Sequence, residues 1–241
     1  MLEDRAYSER FARSMRDGRI STFGHQCFHK DTSWSIHKTL METECEGIQW
    51  EEGLIYDYYV GPEHDPEVFD LFVQWLYTQE YREEQGLVQG FDFKDFQIVT
   101  LPHRGLGPEN PLDWGIKAAI ACWELGASLR AKNFQNYAIK RLLEAFGRPL
   151  SQPLGSTLFT HTVSFRKEHL SGAISKPQQM IQDIIVRNWG DDRIIDHSPT
   201  QGWSQTIGSC HDFRDAFFEG TRQTLAKRRE KGLSLADYLI H

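Results

Sequence analysis

Three metal-capable side chains alternate in His25-Gln26-Cys27-Phe28-His29, and alternation along a strand sets all three on one face. With Asp31 or His37 as a fourth donor, that face resembles a tetrahedral zinc site, and so a small zinc-dependent enzyme or sensor. Structural zinc ligands normally come as looped pairs, and no such pair stands here. A strand edge with a partly buried cysteine accounts for the same residues, so no metal is expected. Cys210-His211 puts a thiol beside a base in sequence, but neighbouring residues do not thereby bring their reactive atoms together. No orienting partner or oxyanion-stabilising loop accompanies them. Gly105-Leu106-Gly107-Pro108 lacks the downstream lysine and the preceding strand of a phosphate loop and reads as a turn. With no catalytic constellation, the chain is expected to be neither an enzyme nor a cofactor carrier.

Charge says more about partners. The 241 residues carry a formal net charge of −7, which argues against general affinity for nucleic acid or an anionic membrane. The acids concentrate between Glu42 and Gln85, where Glu42, Glu44, Glu46, Glu51, Glu52 and Asp57 are followed by Glu63, Asp65, Glu67, Asp70, Glu80, Glu83 and Glu84. Arg82 is the only Lys or Arg among them. Such a run is either a solvated surface or a docking face that steers a basic partner. Lys227-Arg228-Arg229-Glu230-Lys231 has the composition of a nuclear import patch, and equally of a helix C-terminus, where the macrodipole favours cations.

The elements that hold these residues follow from patterning. Hydrophobic residues at 39% with aromatics at 12% suffice for a packed core, so one large domain or a small one with an extension is expected. Met1-Leu2-Glu3-Asp4-Arg5 is charged and leads into no apolar run, and no segment has membrane-spanning length. Cytoplasm or nucleus is therefore expected, with Cys27, Cys45, Cys122 and Cys210 reduced. Residues 1–17 read as a polar arm. Strands are expected over Arg19–Phe28 and over Thr32–Ile36, with Trp34 and Ile36 inward, and from Leu54 to Val60. A helix starts at His37-Lys38. The next begins at Asp65-Pro66, a good cap followed by a residue pre-set for the first turn. Its apolar stripe is Phe69, Phe72, Val73 and Leu76, widened by Trp75 and Tyr77. A long insert from 79 to 110 holds one strand-like run, Gln97–Leu101. Asn110-Pro111 and Asn133 are expected to cap an antiparallel helical pair ended by Gly147-Arg148-Pro149. From 148 to 241 the text is looser. Ser175-Lys176-Pro177 opens one helix, and a final helix runs from about His211 to Lys231 with Phe213, Phe217 and Leu225 buried.

The string Asp65-Pro66-Glu67-Val68-Phe69, continuing through Phe72 to Trp75-Leu76-Tyr77-Thr78, resembles the signature helix of BTB/POZ domains, particularly the fungal branch. His37-Lys38-Thr39-Leu40 is similar to the family's His-Lys-x-Leu opening of its first core helix. The run from Ala121 to Leu129, with Trp123, Leu125 and Gly126, resembles the family's alanine–leucine–glycine helix, and Phe134-Gln135-Asn136-Tyr137-Ala138 resembles the opening of its partner. The resemblance spans residues 18–147 and implies an α/β fold, a small mixed sheet flanked by helices, followed by a helical extension over 148–241. It implies a non-enzymatic protein–protein interaction module that self-associates or docks on a cullin scaffold as a ubiquitin-ligase adaptor. A dimerising regulatory scaffold without cullin is the alternative. The family's hydrophobe-x-Glu docking motif is matched by Trp50-Glu51-Glu52, so Trp50 and Glu52, with Phe69, Phe72, Trp75 and Tyr77 of the signature helix, are the expected partner contacts. Thr43–Trp50 is short and acidic where the family has a helix of its homodimer face, which weakens the case for the usual strand-exchanged dimer.

Overall fold

The computed structural model describes residues 19–27, 30–46, 48, 58–60, 65–83, 86–89, 111–169 and 174–241. The fold is mixed α/β and mostly helical. The chain divides into two compact units, Met1–Glu83 with Ala121–Ala138, and Glu84–Ile120 with Ile139–His241.

In the first unit, β1 (Ile20–Cys27) and β2 (Lys30–His37) form an antiparallel hairpin, and β3 (Tyr58–Val60) runs parallel to β1 on its other side. A parallel neighbour cannot follow through a tight turn, and α1 (Lys38–Glu44) lies within the crossover that leads to it. Phe23 pairs with Trp34 and Ser21 with Ile36. Phe23, Ile36 and Ser21 are buried, Trp34 is half-buried, and Ser33 and Ser35 face solvent, which is the expected alternation. Helix α2 (Pro66–Thr78) starts at Asp65, whose side chain accepts the Glu67 N–H at 2.9 Å. It ends at Gln79, whose φ of 60° turns the chain into the left-handed region.

Aromatic rings fill the space between these elements. Phe69 lies 4.4 Å from Trp34 and 5.9 Å from Phe23 between ring centroids. Phe134 sits 5.0 Å from Phe72 and 5.1 Å from Trp75. Phe134 belongs to α4 (Lys132–Phe146), which follows α3 (Trp114–Ser128). The two helices approach closely because Gly126 has no side chain. A Cβ there would stand 2.7 Å from Gln135 Cγ and 3.2 Å from the Phe134 ring.

The second unit holds a two-stranded antiparallel sheet of β4 (Leu87–Gln89) and β5 (Pro111–Asp113). It continues with α5 (Ser156–His169), α6 (Lys176–Asn188), α7 (Trp203–Ser209), α8 (His211–Thr221) and α9 (Leu225–Glu230). Trp189 is ringed by His197, Trp203 and Phe217 at centroid distances of 4.4, 5.4 and 4.7 Å. Helix α8 comes so near α6 that a Cβ on Gly220 would overlap the Val186 side chain.

Several expectations are corrected. Pro111 belongs to β5 and the helix after it starts at Trp114, because Pro111–Asp113 pairs with Leu87–Gln89. Asn133 lies inside the first turn of α4, not at its cap, and its amide donates to Glu44 Oε2 at 3.2 Å. The final helix is two helices. Thr224 interrupts it by accepting the Lys227 N–H, a capping bond that starts α9, and Leu225 is only half-buried. Helix α5 arises in text that reads as loose, since Thr and Ser interrupt its stripe while Leu158 and Phe159 are buried. The strand-like run Gln97–Leu101, the polar arm and Asn110 lie outside the described residues, as does the expected strand before Tyr58.

Candidate interaction face and arginine network

Sequence places Asp70 and Tyr77 seven positions apart on α2, two turns along one side of the helix. Both reach β2. The Trp34 indole N–H donates to Asp70 Oδ1 at 2.6 Å, and the His37 backbone N–H donates to the Tyr77 hydroxyl at 3.1 Å. The same hydroxyl lies 2.8 Å from His37 Nδ1, so it donates there when the ring carries its proton on Nε2. These contacts clasp α2 to the hairpin, and Tyr77 is half-buried within them.

The other residues expected to meet a partner through this helix are corrected by their burial. Phe69 and Phe72 are 0% exposed and Trp75 is 1% exposed. They form the core of their own unit, because a ring of this size contributes most when fully removed from water. Toward solvent α2 offers Glu67 and Asp70, with Asp65 at its cap, beside the uncharged Gln74 and Thr78, and Glu42 and Glu46 are exposed at α1 and after it. Glu44 departs from that pattern, being buried and bonded to Asn133. Trp50 and Glu52 lie outside the described residues.

The residues read as fold markers take structural roles in the first unit. His37 is the cap position of α1, the Lys38 N–H donates to the Arg19 carbonyl, and Leu40 is buried. Asp65 and Pro66 start α2; Trp123, Leu125 and Phe134 are buried, and Gly126 makes the close helix approach. Among the zinc candidates, His25 and Cys27 lie on the β1 backbone, while His29 and the side chains of the set fall outside the described residues. Cys210 is buried and His211 exposed, so the two present no thiol–base pair. Burial pushes the Cys45 and Cys122 thiols well above the usual thiol range, with the Glu44 carboxylate adding to the effect at Cys45. Neither thiol is poised as a nucleophile.

The second unit contains a polar arrangement that sequence reading does not reveal. Asp191, 8% exposed, receives Arg193 through Nε at 3.0 Å and Nη2 at 2.9 Å, and Arg229 through Nη2 at 2.8 Å. The hydrogen bonds from Arg193 and then Arg229 hold the Asp191 carboxyl far below the usual carboxylate range. Arg229 also donates from Nε and Nη2 to Asn188 Oδ1 at 3.1 and 2.8 Å. Arg228 donates to the carbonyls of Trp189 and Gln223, and Arg187 donates to the carbonyls of Lys231 and Arg229. Two arginines of the basic run on α9 therefore fold against the C-terminal end of α6, where backbone carbonyls collect negative potential. The sequence signal available was the run itself with a helix end nearby, but nothing local named Asp191 as its partner.

No known protein family, curated protein or solved structure matches this chain. Among the described residues, no helix is long and apolar enough to cross a membrane.

Proposed function

We propose that the chain is a non-enzymatic protein–protein interaction module of the BTB/POZ type, and that it serves as a substrate adaptor on a cullin-based ubiquitin ligase. The observation that supports this reading most is the order of the first unit's elements. An antiparallel hairpin, a helix opened by His37-Lys38, a strand parallel to β1 and the Asp65-Pro66 helix precede a helical pair packed through Gly126 and Phe134. That order follows the order of the resembling motifs. The proposal also fits the aromatic residues, which serve a scaffold rather than a pocket. With Phe69, Phe72 and Trp75 buried, docking falls to the acidic outer side of α2 and to Trp50-Glu51-Glu52. Acidic faces of this kind accelerate encounter with a basic partner.

A calorimetric titration of the full chain with a cullin N-terminal domain tests the proposal, with Trp50→Ala as control. Micromolar or tighter binding that Trp50→Ala weakens is the expected result. Absence of binding sinks the adaptor reading and leaves a self-associating regulatory scaffold.

A further inference from the structure

The second unit contains a cleft of about 840 Å³, within the usual size class of ligand sites. Arg148, Arg187, Arg193 and Arg229 line it, and Asp191 is the only carboxylate among its described lining residues. In a chain of formal net charge −7, such a concentration of guanidinium groups marks the place where an anion is favoured. Phe146, Leu150, Ile184, Ile194 and Leu233 supply an apolar wall in the same cleft.

Arg187, Arg193 and Arg229 are held in place before any ligand arrives. Asp191 grips Arg193 and Arg229 together, using Nε and Nη2 of the first and Nη2 of the second. Arg229 is fixed again by Asn188, and among the described residues no hydrogen bond engages Nη1 of either arginine. Arg187 anchors the chain at Arg229 and Lys231 through their carbonyls. Guanidinium groups already oriented lose little freedom when they take a carboxylate, and that favours binding.

The arginines come from each of the three stretches that make the cleft: Arg148 from 143–150, Arg187 and Arg193 from 184–194, and Arg229 from 229–233. Each stretch thus supplies both charge and apolar surface, the latter from Phe146 and Leu150, from Ile184 and Ile194, and from Leu233. A single-headed amphiphile would want them segregated, and a free phosphate would leave the apolar wall unused.

We infer that this cleft binds a linear peptide segment in which acidic side chains alternate with large apolar ones. Carboxylates meet Arg193 and Arg229 while a leucine- or phenylalanine-sized group packs on Phe146 and Ile194. The inference uses only the second unit, so failure of cullin binding by the first leaves it standing.

The test is selection from a random display library of short linear peptides on the full chain. Affinity of the enriched sequences is then measured for the wild type, Arg193→Glu and Arg148→Glu, both at exposed positions, the first of which also removes a partner of Asp191. Circular dichroism of each variant checks its fold. The expected result is enrichment of Asp or Glu interleaved with Leu, Ile or Phe, and a loss of about tenfold or more in each variant. The inference is overturned by no enrichment, by enrichment of another composition, or by binding that both reversals leave unchanged. Displacement of the selected peptide by millimolar inorganic phosphate, with no preference for apolar residues, also overturns it in favour of a simple anion site.

Discussion

The first unit is built on rings, whereas the second joins an apolar core to a network of guanidinium groups. Phe23, Trp34, Phe69, Phe72, Trp75 and Phe134 form a chain of ring contacts between hairpin and helices. In the second unit a smaller group around Trp189 is joined by arginines that tie the α9 segment to the end of α6 through Asn188, Asp191 and backbone carbonyls. Apolar burial is non-directional and tolerates adjustment, whereas hydrogen-bonded charge depends on geometry and on protonation. The two regions should therefore fail differently.

The largest expected effect is in the ring-built region. Phe134 touches Phe72, Trp75 and Tyr81, so Phe134→Ala should cost about 3–5 kcal/mol in denaturant unfolding. A cost under about 1 kcal/mol would mean that the cluster is not the core it looks to be. Next comes Gly126→Ala. It forces a Cβ against Gln135 and the Phe134 ring and should cost about 1–3 kcal/mol, with a smaller loss indicating that the helical pair can spread. Smaller still are the caps, one in each unit. Asp65→Ala and Thr224→Ala each remove one side-chain acceptor at a helix start and should cost about 1 kcal/mol. If Thr224→Ala is silent, the break between α8 and α9 is set by packing instead.

The last prediction separates the regions by pH. The folded state holds Asp191 below its ordinary carboxylate range, so its contribution is complete above the unfolded value of about 3.9. It is lost as pH falls through the depressed folded value. Acid should consequently weaken the second unit, and Asp191→Asn should flatten that part of the pH profile of its unfolding midpoint. An unchanged acid limb would show that Asp191 does not couple to folding.

The same contrast explains what could be read in the sequence. Helix α2, with its cap, its proline and its stripe, is written in neighbouring residues, and it runs over Pro66–Thr78. The alternation in Trp34-Ser35-Ile36 and the opening at Ser175-Lys176-Pro177 were equally local. Reading that stripe as a partner face failed because periodicity identifies an apolar side without saying what covers it. Helix α5 escaped notice because its hydroxyl residues blur the period. The Asp191 network was illegible for a simpler reason: Arg229 stands 38 positions away, and no local pattern joins the two. Position 133 shows a related limit, since an asparagine suited to a cap was drawn to Glu44 by an element 89 residues distant.

The buried cysteines carry a practical consequence. Cys45 and Cys122 lie in the first unit and Cys210 in the second, each of them buried and Cys210 the least deeply. A thiol so enclosed reacts with an alkylating reagent only when the structure around it opens. With Cys27 replaced, the chain carries its own clocks, and pulse alkylation read by peptide mass would time the breathing of each unit separately in a single sample of unlabelled protein.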